Sequence, residues 1–543
     1  MHDVRENAGK RRQSLFDHIR TCRGQFRFLA AALLALCLTA GCTNAAVGNG
    51  QAGQNTAAAG NGQTQENAAV AETADALTDK AAADETGKAA ESAADGEQAR
   101  QKQTEGTEGE IDNSGHDASN PGGKSEDSGN EAEEDGVTEI TFTAVGDNLI
   151  NEVLYGQAAE RAAEKDGEKA YDFSLCYEKM APFIQEHDVN WIDIETLMTD
   201  TLEPSGYPTF STPGDSGRAL IDAGWNVFSL ASNHTYDQGA YGIGESLAFW
   251  DTMKEEASAA QKEADDQVSA ADGDDKAGTD STGEVHDKTG TDRAEEAEEA
   301  EGKAAADSAE GICCTGLWEY GTEYDIPILT CKGKKLAFLT YTYGTNDIPT
   351  PDGAAGHVIY LDEEGLMAYQ IQLAHEQADA VIVSLHWGEE YSHCQTEEQR
   401  ELARRVADMG ADLIIGGHPH VVQGAEMLTA SDGRKVFCAY SLGNFICAQN
   451  SMPNPDAMIG LVLSCTFRFA EDGLTVEDPS LIPILSDYGE NYAEDHTVLY
   501  RDYSQEQALA HGMRTMFGFT QFDYDYVREM LTEVVGTEYL ELP

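Results

Sequence analysis

Basic residues are scarce in this chain: 35 Lys and Arg stand against 98 Asp and Glu among 543 residues, a formal charge of −63 at pH 7. A protein that binds phosphate backbones needs a basic surface, so nucleic acid is excluded as a partner. The apolar run near the N-terminus, Phe28 to Leu38, is too short for a comfortable bilayer span. Cysteine occurs at 11 positions but never as the Cys-x-x-Cys pair of a structural zinc site, and its spacing is not that of a disulfide scaffold. From Thr43 to Gly136 large apolar residues are almost missing. Such a segment buries too little surface to offset its ordering entropy, so 43–136 is expected to be a disordered acidic linker.

A second acidic segment, 254–311, includes the run Ala294-Glu295-Glu296-Ala297-Glu298-Glu299-Ala300-Glu301 and has no apolar stripe. It is expected to be a disordered insertion within a folded domain, which loop-closure entropy tolerates at small cost. At the N-terminus, Arg5, Lys10, Arg11, Arg12, Arg20, Arg23 and Arg27 form a basic lead ahead of the apolar run. The run ends in Leu38-Thr39-Ala40-Gly41-Cys42, which resembles a bacterial lipobox. Residues 1–42 are therefore expected to be a lipoprotein signal peptide, cut before Cys42. A lipid on that thiol would tether the chain to the extracellular face of the bacterial plasma membrane.

What remains alternates between short β-rich runs and helical patterns. Strands are expected at Ile140–Val145, Trp191–Ile194, Val227–Leu230, Lys335–Thr340, Ala380–Leu385, Leu413–Ile415 and Val436–Tyr440. Glu364–Glu376 and Thr396–Met409 carry helical apolar spacing. The alternation predicts an α/β fold with largely buried strands over 137–500, followed by a helical extension, 501–543, without an evident role.

Metal-ligand residue types follow five of these strands. Gly146-Asp147-Asn148 follows the first, and Asp193 and Glu195 stand two apart at the end of the second. Ser232-Asn233-His234-Thr235-Tyr236-Asp237 follows the third, and His386-Trp387-Gly388-Glu389-Glu390 the fifth. Gly416-Gly417-His418-Pro419-His420 follows Leu413-Ile414-Ile415. Side chains two apart in extended chain point the same way, so the rings of His418 and His420 can approach one cluster. Ligands in α/β sheets gather beyond the carboxyl ends of the strands, so the five ends can share one crevice. Each motif alone also fits a turn, a helix cap or a core histidine; together they favour a site. Imidazoles with carboxylates suit one or two divalent cations, zinc, manganese or iron rather than calcium or magnesium. Two such ions can stabilise both oxygens of an in-line displacement at phosphorus.

The order of these motifs resembles the CapA family, the poly-γ-glutamate capsule synthesis proteins, whose domain is similar to calcineurin-like metallophosphatases. The resemblance runs from about Thr138 to Leu485. Its blocks are Val145–Ile150, Tyr207–Pro213, Ser229–His234, Tyr341–Asn346, Leu385–Tyr391, Gly417–Val421 and Tyr440–Phe445. It implies a metallophosphatase-like layered αββα sandwich and a dinuclear centre. By the resemblance Asp147 and His420 hold one metal, and Asn233, His386 and His418 the second. Glu195, with Asp193 near it, bridges the ions or completes their shell. His234 is implied as the acid that protonates a leaving group, oriented by Asp237. The chain departs from its relatives at Asn151, where His is frequent, and at Asp193, where Asn is common. The implied function is a metal-dependent hydrolase of phosphoester or cell-envelope bonds in capsule biosynthesis. The alternative is a non-catalytic component that holds an anionic polymer beside other capsule-synthesis proteins.

Overall fold

The computed structural model describes residues 136–165, 169–274, 309–448 and 453–543. The expected signal peptide with Cys42, the linker up to residue 135 and residues 275–308 of the insertion lie outside them.

Two large sheets form the frame. The first takes the order β18 (His496–Leu499), β17 (Gly473–Asp487), β16 (Ile459–Ala470), β1 (Thr138–Leu149), β2 (Val189–Asp193), β5 (Val227–Ser229) and β6 (Cys313–Thr315). Its half from β1 to β6 is parallel, its other half antiparallel, and β15 (Asn444–Cys447) pairs in parallel with the end of β1. The second takes the order β13 (Ala425–Thr429), β14 (Lys435–Ala439), β12 (Leu413–Gly417), β11 (Ala380–His386), β9 (Lys334–Thr342) and β8 (Ile328–Cys331), with parallel pairing from β14 to β9. Two short ribbons complete the set: β3 (Met198–Thr199) with β4 (Thr212–Pro213), and β7 (Trp318–Glu319) with β10 (Gly356–His357).

The period-two alternation of the strands explains the layering. Phe142, Trp191 and Val227 from the first sheet meet Leu336, Phe338, Ile382, Ile415 and Phe437 from the second in one buried layer. The residues between them face outward. Ile192 and Phe228 pack under helices through Leu154, Leu220 and Trp250. Leu339, Val383 and Ile414 pack under the helices Glu364–Gln377 and Glu397–Met409 through Ile371, Leu402 and Val406. Helix, sheet, sheet, helix is the expected αββα sandwich. Strands apolar on both faces follow directly from it.

Two segments differ from the sequence expectation. The helix Gly239–Asp274 continues through Lys254, where the insertion was expected to begin. Phe249, Trp250 and Met253 anchor it in the core, and the Ala, Glu, Lys and Gln that follow are strong helix formers, so it continues. The C-terminal segment packs into the fold: Met513, Phe522, Val527, Met530 and Leu531 join the same buried layer as Phe142. Cys176, Cys313, Cys314, Cys438, Cys447 and Cys465 are free thiols. Among the described residues, no helix is long and apolar enough to cross a membrane.

Candidate metal centre

Strand register does the first part of the assembly. Asp147 pairs with Asp193 across β1 and β2 and with Asn444 across β1 and β15, while His386 lies beside Gly417 across β11 and β12. The β1 pairing shifts register on both sides of Asp147, a bulge of the kind that re-aims a side chain. Gly146 is required here. A Cβ at that position would meet the carbonyl oxygen of Gly443 at 1.8 Å, and the Asp147 amide donates to that same oxygen at 3.0 Å.

Five strand ends thus deliver their polar residues to one place. The ligand atoms of Asp147, Glu195 and His420 lie within 4.8 Å of one another, as do those of Asp147, Asp193 and His386. Asp147 belongs to both groups. Asp147 Oδ2 lies 3.1 Å from His420 Nδ1 and Asp193 Oδ2 lies 3.1 Å from His386 Nδ1. Asn233 Oδ1 lies 2.8 Å from His386 Nε2. The His418 ring centre is 4.9 Å from that of His386 and 6.0 Å from that of His420.

His418 and His420 are not in extended chain. Their φ angles are 94° and 58°, so β12 ends at Gly417 and the two rings project from a left-handed turn. Non-glycine residues adopt such angles at an energetic cost that packing must offset, and they concentrate at functional sites. The His418 amide, 3.4 Å from Asp147 Oδ1, helps hold the turn against the cluster.

The fit of these residues to a cation can be read from their unmet bonds. Both carboxylate oxygens of Glu195, Asp193 Oδ1 and His418 Nδ1 are buried without a hydrogen-bond partner among the described residues. Orphaned polar atoms of this kind are costly and rare in a folded interior, and Glu195 and Asp193 each stand in a ligand group with Asp147, so they call for a ligand. The charges agree. Burial pushes Glu195 up to about 7 and Asp193 up to about 6, each against the pull of a neighbouring imidazole. Burial would lower His420, but the carboxylates of Glu195 and Asp147 outweigh it and raise it to about 10. Burial and the rings of His386 and His420 drive His418 far below the ordinary imidazole value, leaving it neutral and free to ligate. Crowded carboxylates with a neutral imidazole suit a divalent ion.

His234 stands at the edge of this cluster. Its Nδ1 lies 2.7 Å from Asp237 Oδ2, and Phe210 meets the ring edge-on at 4.7 Å. The Phe210 amide donates to the same Asp237 oxygen at 2.7 Å, which fixes the carboxylate that fixes the ring. Ser232 donates to the Glu195 carbonyl and accepts from the His234 amide, so both neighbourhoods share one hinge. Asn151 is a helix cap: its Oδ1 accepts from the amides of Val153 and Leu154, and its Nδ2 donates to the Ala448 carbonyl. It lies outside the cluster.

Three residues without a role in the sequence reading complete the surroundings. Asn444 Oδ1 lies 3.1 Å from His420 Nδ1, Asn346 touches both Asn233 and His234, and the half-exposed Tyr343 lies 4.4 Å from the His418 ring. Asn346, Asn444 and Tyr343 sit inside the resemblance blocks, the signal that could have found them.

Together the layers and this cluster define an α/β protein with a candidate divalent-metal centre at the carboxyl ends of both sheets. Its sequence matches the description of the bacterial capsule synthesis protein PGA_cap over residues 141–276 and 291–449, more than half of its length. The chain belongs to that family. The PGA biosynthesis protein CapA of Bacillus subtilis (strain 168) is 36% identical over 120 residues, 22% of this chain and 30% of the relative. The capsule biosynthesis protein CapA of Bacillus anthracis is 39% identical over 82 residues, 15% of this chain and 19% of the relative. These stretches span less than a third of either relative. Among solved structures, the Haemophilus influenzae NAD nucleotidase (NadN) superposes with a TM-score of 0.33 at 11% identity, covering 75% of this chain and 57% of that one. A putative 5'-nucleotidase from Staphylococcus aureus superposes with a TM-score of 0.32 at 11% identity, covering 64% and 54%.

Proposed function

We propose that this chain is a metal-dependent hydrolase of capsule or poly-γ-glutamate biosynthesis, acting on a phosphoester or another cell-envelope bond. The observation that carries the reading is Glu195, a fully buried carboxylate beside Asp147 and His420 whose two oxygens lack hydrogen-bond partners among the described residues. Asp147, Glu195 and His420 would hold one divalent ion. Asp147, Asp193 and His386, with Asn233 and His418 beside them, would hold a second. Manganese, iron and zinc all suit this donor set. Ions bound there supply Lewis-acid polarisation of a substrate oxygen and neutralise developing charge.

The chain supplies the rest. Asp237 holds His234 Nδ1, so Nε2 is the nitrogen left to present a proton to a leaving group. The strand ends keep the ligands rigid, and their burial strengthens every charge interaction in the site. The lipobox at Cys42 would keep the protein on the outer face of the plasma membrane, where an anionic polymer and capsule-synthesis proteins would be its partners. Labelling with a tritiated fatty acid, lost on Cys42→Ala, tests the tether.

The activity test uses the full chain, stripped with chelator and reloaded with manganese, iron or zinc, on generic phosphomonoesters and phosphodiesters. Metal-restored turnover that His418→Ala abolishes is the expected result. A wild type that hydrolyses neither ester class in any metal form sinks the hydrolase reading. A second reading, a non-catalytic polymer-holding component, is equally compatible with relatives named for PGA and capsule biosynthesis. Cells that retain capsule polymer with an Asp147→Ala, His418→Ala double variant would argue for it.

A further inference from the structure

We propose that Asn346 is a positioning residue for the candidate metal centre, fixing which end of the Asn233 amide faces the cluster. The inference rests on the metal-dependent reading above. Asn346 Oδ1 accepts a hydrogen bond from Asn233 Nδ2 at 3.2 Å, and Asn233 Oδ1 then lies 2.8 Å from His386 Nε2. An amide has one donor end and one acceptor end, nearly equal in shape. Only the oxygen can ligate a cation. Turned over, Asn233 would present its NH2 to the site and repel an ion. The carbonyl of Asn346 prevents this, because in the turned state two amide oxygens would face each other. Partners of this kind commonly orient metal ligands from behind.

The second contact of Asn346 shows where it stands. Its Nδ2 lies 3.4 Å from His234 Nδ1, but Asp237 holds that nitrogen at the shorter distance of 2.7 Å. The ring proton belongs to the Asp237 bond, and the Asn346 contact is packing. Asn346 therefore sits between a candidate ligand and the candidate acid. It is exposed while Asn233, His234 and His386 are buried, which places it at the mouth of the site. Its φ is 51° and that of Asp347 is 59°. Asparagine tolerates the left-handed region better than most residues, so one side chain meets both the backbone and the bonding demand.

The test separates the two demands. Asn346→Gly keeps the backbone angle and removes the carbonyl, whereas Asn346→Asp keeps an acceptor for the Asn233 amide. Because the residue is exposed, neither opens a core cavity, and thermal melts report whether each variant folds. Manganese and zinc titrations on the chelator-stripped full chain, followed by calorimetry, are the readout. The expected result is that N346G weakens one of two equivalents about 10- to 100-fold, while N346D binds as well as wild type. Wild-type affinity in N346G overturns the proposal, as does an equal loss in both variants; either leaves the metal-dependent reading standing. A wild type that binds no divalent ion overturns both.

Discussion

Asp147 and His420, 273 residues apart in sequence, meet with Oδ2 and Nδ1 at 3.1 Å, and the same carboxylate also belongs to the group with Asp193 and His386. The first sheet contributes Asp147 and the second His420, so the site exists only when the two sheets are stacked. The centre is a product of the sandwich.

On the proposed function His234 moves a proton and does not hold an ion. Its ring is fixed through Nδ1 by Asp237 at 2.7 Å. His234→Gln should therefore keep full metal content and lower kcat about 10²- to 10⁴-fold on an ester with a poor leaving group. The loss should be much smaller with a nitrophenolate leaving group, which needs no proton. Parallel kcat values on the two ester types check this; equal losses would remove the acid role.

Gly417 leaves no room for a side chain. A Cβ there would meet Asp193 Oδ2 at 2.7 Å and Asp147 Oδ1 at 3.0 Å, both atoms of the cluster. Gly417→Ala should fold and lose about tenfold or more in metal affinity, since the carboxylates must swing away. Gly146→Ala should instead destabilise the fold by about 3 kcal/mol, because the carbonyl it strikes is backbone and cannot yield. Chemical denaturation and metal titration of the two variants distinguish these effects.

Much of this architecture is legible in the sequence. The runs at Ile140, Ala380 and Leu413 become β1, β11 and β12, buried along most of both faces, and Thr396 caps its helix through a reciprocal bond with Gln399. The motifs after the strands identify the residues that converge. Less visible are β16 and β17, whose long antiparallel pairing joins exposed and buried residues without a single clean period. The left-handed turn at His418 and His420 is set by contacts with Asp147, far away in sequence, and not by local propensity. Asn346 and Asn444 reach Asn233 and His420 through side-chain hydrogen bonds to residues distant in sequence, which no spacing rule encodes.

His393 ties the turn that carries His420 to the C-terminal helix. Its Nδ1 lies 2.8 Å from the Val422 carbonyl, its Nε2 lies 3.4 Å from Asp456 Oδ2, and Asp456 also receives the Tyr526 hydroxyl. Burial pulls His393 down, but Asp456 outweighs it, so the folded value lies above the ordinary 6.5. A raised histidine contributes stability that is fully present below the unfolded value and lost as pH rises through the folded one. His393→Gln should therefore cost about 1.5–3 kcal/mol in acid, below about pH 6.5, and progressively less above it. Denaturant unfolding of both proteins across that range gives the difference. A cost that grows with pH would reverse the assignment.

The metal content of Asp147→Asn beside that of His386→Ala, measured by elemental analysis after reloading the full chain, tests the centre most directly. Because Asp147 is shared by both ligand groups and His386 belongs to one, the first variant should lose both equivalents and the second only one. A wild type without bound metal, or an Asp147→Asn protein that keeps its full complement, would contradict the shared centre.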